Sequence, residues 1–227
     1  MNNKIVIGLV GPKTCGKSTV TNMLGEFYNI QESALADKLK NTICQVLNLN
    51  REQLDKQSLK EVDFEEPKEL TKDVISKVLK SFGVNPNSYK DPVLMQTYLE
   101  SYRSIIGRKL RSPREAAQII GSEVLRSVDQ DIHCKGVTIS DRVFTVVSDV
   151  RFFNEYLYFS NLRGVTFIPL YIQRDLAEQN VTVESHISER DFLRFRDKCI
   201  RIDNNGHFTD TEIQIKASVD KILYGGK

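Results

Sequence analysis

The sequence predicts an α/β protein with a parallel central sheet, and three observations carry that prediction. The chain opens on an apolar, β-rich run, Ile5 to Val10, which passes through a glycine loop into a segment of helical character ending near Tyr28. A second such run, Val143 to Asp149, lies far down the chain and ends in an acid. Around these runs stand segments with apolar residues at helical spacing, the alternation expected when helices cover both faces of a parallel sheet. A chain of 227 residues with 40% hydrophobic and 27% charged side chains is long enough to bury a core unaided. Its formal charge of +2 is too small to mark a nucleic-acid or membrane partner, so any cationic site is local. Cys15, Cys44, Cys134 and Cys199 show neither disulfide nor metal-ligand spacing and read as free thiols in a reducing compartment. The first ten residues are too short for a signal peptide, and no apolar run reaches membrane-spanning length. A soluble, cytoplasmic protein is expected.

The loop after the first strand fits G-x-x-x-x-G-K-[ST] without a gap: Gly11, Pro12, Lys13, Thr14, Cys15, Gly16, Lys17, Ser18. Two glycines let the backbone curl so that successive N–H groups face phosphate oxygens. The helix that begins near Lys17 adds its positive N-terminal end. Lys17 is placed for the β- and γ-phosphates, and the Ser18 hydroxyl for Mg²⁺. A strand before and a helix after are the context this P-loop pattern requires, so ATP and Mg²⁺ are the expected cofactors and a three-layer P-loop NTPase fold the expected architecture.

Asn29 to Leu35 reads as a short second strand, and Ala36 to Leu47 as a helix with Leu39, Ile43, Val46 and Leu47 at helical spacing. Asp37, Lys38 and Lys40 at its start are either ligand groups or a solvated face. Residues 50–112 are charge-rich and lack strand signals, which suggests a mostly helical insertion with helices at Thr71–Phe82 and Pro92–Ile106. Ser112-Pro113-Arg114-Glu115 announces the next helix by N-cap, first-turn proline and capping-box acid. On it Arg114, Gln118 and Gly121 share a face suited to ligand approach or to close packing. Asp149 ends the strand Val143–Asp149 where open sheets bind ligands, placed to help hold Mg²⁺, with Arg151 just beyond to meet a phosphate. Val165–Gln173 reads as a strand that Pro169 assigns to an edge or a bulge. The arginine-rich stretch 174–201 is either a salt-bridged surface helix or a mobile lid. A final strand at Lys198–Ile202, an Asp203–Gly206 turn and a helix capped from Thr209 close the chain.

AQIIGSEVLR, VVSDVRFFNE, the SHISE block and the NNG turn before a capped helix, in this order, resemble the deoxynucleoside monophosphate kinases of tailed bacteriophages. The resemblance spans essentially the whole chain, and SDVRFFNE and HISE are its most specific parts. It implies transfer of the ATP γ-phosphoryl group to a deoxynucleoside 5′-monophosphate and leaves homodimerisation open. Lys13, Gly16, Lys17, Ser18 and Thr19 match the family's phosphate loop, and Asp37 and Lys40 its first acceptor-side motif. Arg114 and Gln118 match an acceptor helix, Asp149, Arg151 and Glu155 a D-x-R-x-x-x-E segment, and His186 and Glu189 the lid block. Asn205 and Gly206 fall on the adenine-side loop. The chain departs from the pattern twice. No arginine stands between Arg51 and Arg103, which leaves Lys60 or Lys68 for that role, and there is no tryptophan, which leaves His133, a tyrosine or a phenylalanine to stack on the base.

The expected organisation is one P-loop kinase domain: a core of residues 1–50 and 113–227, a helical acceptor-binding insertion at 51–112, and a short basic lid at 174–197. Lys17, Asp149, Arg151 and a lid arginine such as Arg190 are the expected catalytic groups. Rival readings are a P-loop kinase of another acceptor, such as dephospho-coenzyme A, and a nucleotide-binding switch or motor. Asp149-Val150-Arg151-Phe152 breaks the D-x-x-G of a switch, and no apolar strand ends in the paired acids of a motor.

Overall fold

The computed structural model describes residues 4–84, 102–185 and 187–225. In chain order they form β1 (Lys4–Val10), α1 (Lys17–Phe27), β2 (Ile30–Ser33), α2 (Asp37–Leu47), α3 (Arg51–Asp55), α4 (Gln57–Lys60), β3 (Lys68–Glu69), α5 (Lys72–Ser81), β4 (Lys109–Leu110), α6 (Pro113–Gln118), a π-helical stretch (Ile119–Leu125), α7 (Arg126–Val128), β5 (Phe144–Val150), α8 (Phe153–Ser160), β6 (Val165–Gln173), α9 (Asp175–Glu178), α10 (Ile187–Arg190), β7 (Ile200–Asp203) and α11 (Phe208–Tyr224). Two compact units emerge, Met1–Leu35 with Val137–Lys227, and Ala36–Gly136. The second is wider on both sides than the insertion expected from composition. The reason is its core: Leu39, Ile43 and Leu47 of α2 and Ile119, Ile120 and Val124 of the π stretch pack in one apolar cluster with Ile75 and Leu79 of α5.

The first unit is built on a five-stranded sheet in the order β2-β5-β1-β6-β7, parallel throughout. β1 lies at its centre and is buried from Val6 to Val10, as a strand covered on both faces must be. On one face Ile7, Leu9, Ile168, Leu170 and Ile202 meet Val20, Met23 and Leu24 of α1 and Ile215 and Val219 of α11. The other face is aromatic: Phe167 packs on Phe159 and Tyr156, with ring centroids 5.6 and 6.0 Å apart. Gly8 sits under that layer, where an added Cβ would come within 2.6 Å of the Phe167 ring.

Pro169 is neither at an edge strand nor at a bulge of β6, which runs between β1 and β7 with Pro169 opposite Gly8. β7 joins only from Leu170 onward, so on that flank β6 is still locally an edge at Pro169 and a missing N–H costs no ladder bond there. The arginine-rich stretch is not one helix. It breaks into α9, α10 and two 3₁₀ turns, Asp191–Arg194 and Arg196–Lys198, stitched by Arg194–Asp191 and Arg196–Glu178 pairs. The last helix starts one residue after His207, whose Nδ1 accepts from the Thr209 amide; Thr209 itself is inside the helix.

In the second unit, α5 is capped by Thr71 Oγ1 accepting from the Val74 amide, and α6 by Ser112 Oγ accepting from Glu115 N at 3.3 Å. The insertion is not purely helical, because β3 and β4 pair as an antiparallel ribbon with Lys68 opposite Leu110. The helix announced at Ser112 loosens after Gln118 into the π stretch, where the Arg126 amide reaches back five residues to the Gly121 carbonyl. Of the helix expected at Pro92–Ile106, residues 92–101 lie outside the described residues. No helix among the described residues is long and apolar enough to cross a membrane.

Candidate functional site

The P-loop leaves the buried end of β1 and enters α1 through three residues with positive φ: Gly11 at 144°, Thr14 at 67° and Gly16 at 104°. Alternation of this kind turns successive amides toward one concavity. α1 begins at Gly16 with no side-chain cap and no acid in its first turn, so the positive end of an eleven-residue helix is unopposed there. These observations fit a bound polyphosphate. Lys17 Nζ folds back over the loop, donating to the carbonyls of Gly11 at 2.8 Å and Pro12 at 2.7 Å, with Cys15 Sγ at 3.7 Å. Burial pulls its pKa below the ordinary lysine value and Arg151 adds to that, while Cys15 and Glu189 oppose it. The Cys15 thiol is fully buried and burial pushes its pKa up, so it is loop filling rather than a reactive thiolate.

Distant parts of the chain grip this loop. Asn204 Nδ2 donates to the Cys15 carbonyl at 2.8 Å, and Arg174 Nη1 to the Thr14 carbonyl at 3.3 Å. The Asn205 side chain accepts from the Asp175 amide at 2.8 Å, tying the loop after β7 to the loop after β6. Arg174 was expected in the lid stretch and Asn204 in a turn, but their hold on the loop escaped the sequence reading, because a contact across 160 or 189 residues has no local signature. Lys13 and Ser18 are exposed at the loop surface, and Thr19 half-buried.

Asp149 stands near the carboxyl end of β5 and accepts from the Leu35 amide through Oδ1 at 2.6 Å. Among the described residues no cluster of three or more acids, histidines or cysteines could hold a metal ion. A Mg²⁺ site needs no such cluster, because the ion keeps several waters and takes one or two protein oxygens beside substrate phosphates. Arg151 pairs with Glu189 of α10, Nη1 to Oε1 at 2.9 Å. Glu155, expected at a substrate, is buried and accepts from the amides of Arg151 at 2.8 Å and Phe152 at 3.0 Å. Its carboxylate therefore fixes the backbone that presents Arg151. Arg190 Nε is buried and meets no acceptor among the described residues. Gly206 is exposed after Asn205, and His186 lies outside the described residues.

The acceptor-side candidates of the second unit are tied into ion pairs. Asp37 Oδ1 takes Arg51 Nη2 at 2.5 Å, and Lys40 and Arg51 both hold Asp55 at 2.8 Å. Arg114 Nε lies 2.8 Å from Glu61 Oε1, off the line of a directed hydrogen bond, as an ion pair. Gln118 is exposed and Lys68 half-buried on β3. His133 is buried, its ring edge-on to Phe82 with centroids 5.9 Å apart. Its Nε2 lies 3.2 Å from the Gly121 carbonyl in the π stretch. A carbonyl can only accept, so the hydrogen is on Nε2 and Nδ1 is left as a buried lone pair without a partner among the described residues.

Sheet order, loop and helix together define a P-loop α/β protein. No family model matches the chain, and no curated protein matches it. Among solved structures, a dephospho-CoA kinase from Campylobacter jejuni aligns over 96% of each chain at 12% identity with a TM-score of 0.37. At that distance the fold is read from the chain's own strands rather than from the likeness.

Proposed function

We propose that this chain is an ATP-dependent phosphotransferase acting on a small phosphorylated acceptor, with deoxynucleoside 5′-monophosphates as the acceptor class. The observation that supports it most is the phosphate loop itself, with Lys17 poised over its carbonyls and Asp149 and Arg151 at the end of the strand beside β1. In such a reaction catalysis is mainly positioning and charge neutralisation, so no side-chain general base is needed. Loop amides and Lys17 would hold the polyphosphate. Ser18 and Asp149 would hold Mg²⁺, which supplies further neutralisation of phosphate charge when bound. Arg151, its backbone fixed by Glu155, meets the acceptor phosphate or the group in transfer.

The choice of acceptor rests on the sequence motifs, and dephospho-coenzyme A is the second acceptor to be tried. A coupled ADP-release assay with dGMP, dTMP, a cytosine deoxynucleotide, GMP and dephospho-coenzyme A, at saturating ATP and Mg²⁺, tests both. Turnover with deoxynucleotides and a clear but incomplete preference over GMP is expected, because an apolar wall rejects a hydroxyl only about a hundredfold or less. Turnover with dephospho-coenzyme A alone replaces the acceptor, and ADP release with none of them removes the kinase reading.

A further inference from the structure

Helix α10 carries two neighbouring side chains of opposite charge, Glu189 and Arg190, and their surroundings differ. Glu189 is spent on Arg151, with the two side chains 30% and 40% exposed. Arg190 keeps a buried Nε that no described residue accepts from. The charges of Glu189 and Arg151 both bear on Lys17. A carboxylate is therefore set beside the cations that the proposed reaction would direct at phosphate. An acid there is out of place as a ligand for phosphate, since like charges repel. It is well placed as a substitute for one, because a carboxylate offers a guanidinium the same two-oxygen face that a phosphate does.

We infer that Glu189 is an internal phosphate surrogate: its carboxylate occupies Arg151 and is displaced when a phosphate group binds. This rests on the reading of Arg151 as a phosphate-binding group. A half-exposed pair of this kind is weak, so it holds Arg151 in place without locking it. The affinity of a site that is only fractionally open falls by the open fraction, and a pair of that strength corresponds to a loss of about two- to six-fold. A dianion with more acceptor oxygens outcompetes one carboxylate.

The test uses the full chain and two probes, inorganic orthophosphate and an ATP analogue with a non-transferable γ-phosphate, read by protection against thermal unfolding. Glu189→Gln is expected to tighten orthophosphate binding about two- to six-fold. Glu189→Asp, which keeps the charge on a shorter stem, is expected to fall between wild type and Glu189→Gln. In an Arg151→Ala background the Glu189→Gln gain should vanish, since a coupled pair is not additive. Unchanged or weaker orthophosphate binding in Glu189→Gln, a gain that persists without Arg151, or no protection in any variant overturns the inference. If Glu189→Gln does not fold, wild-type affinity in Glu189→Asp does the same. Failure of the ATP analogue to protect the wild type strikes the kinase reading separately and leaves the orthophosphate comparison standing.

Discussion

Lowering the pH from 7 to 5 should destabilise the second unit through one residue, His133. Burial, with the nearby Arg126 charge adding to it, pulls its pKa down from 6.5 to about 4, although the bond to the Gly121 carbonyl pulls the other way. The folded state holds the ring neutral, while the unfolded chain protonates it near 6.5. Between those values the unfolded state binds more protons, so stability rises with pH and is lost on acidification. The contribution is intact above pH 6.5, about 2 kcal/mol smaller at pH 5, and about 3 kcal/mol smaller by pH 4. Carboxylates held low by partners, such as Asp55 and Asp220, lose their contributions below the ordinary carboxylate range, under this window. Urea unfolding followed by far-ultraviolet circular dichroism at half-unit steps from pH 7 to 5 reads the slope. His133→Gln keeps a donor for Gly121 and cannot titrate, so its midpoint should be nearly flat across that window. A variant with the wild-type slope would refute the assignment of this acid sensitivity to His133.

Three further outcomes are expected. Lys17→Ala should lower kcat by about 10²–10³ while circular dichroism shows the fold intact, the scale of losing one main electrostatic stabiliser; near-normal turnover would remove Lys17 from the site. Gly16→Ala adds a Cβ 2.3 Å from Asn204 Nδ2 at a φ of 104°. It should cost about 2–3 kcal/mol in denaturant unfolding, from the positive φ and the lost Asn204–Cys15 bond, and should abolish ATP-analogue binding. Arg151→Lys should raise the acceptor KM about tenfold and leave that of ATP nearly unchanged, because an ammonium lacks the two-point grip. An effect on ATP alone would move Arg151 to the donor side.

The first strand, the loop and α1 were legible because the information is local: an apolar run, glycines at fixed spacing and a helical stripe. Asp149 at the end of β5 was legible for the same reason. The π stretch was not, since Ala117, Ile120 and Val124 keep an α-helical stripe and the change lies in the backbone pairing, as where the Arg126 amide reaches Gly121. Nor was the task of Glu155: the D-x-R-x-x-x-E spacing placed it at a substrate, whereas its carboxylate is consumed by the two amides just before α8. Arg51 shows the same limit from the other side. Its ties to Asp37 and Asp55 turn charges that read as ligand groups into a network within the second unit.

The hold of Asn204 on the Cys15 carbonyl sets a timetable for the nascent chain. The phosphate loop, residues 11–18 of 227, is among the first parts of the chain to be made, yet the side chain that clamps it lies 189 positions downstream. Closing so long a chain segment is slow compared with forming α1. The loop must therefore wait, with its amides unclamped, until β7 has joined β6 and delivered Asn204. A fragment that stops before β7 would carry every residue of the G-x-x-x-x-G-K-S pattern and still lack the shape that the pattern is taken to guarantee.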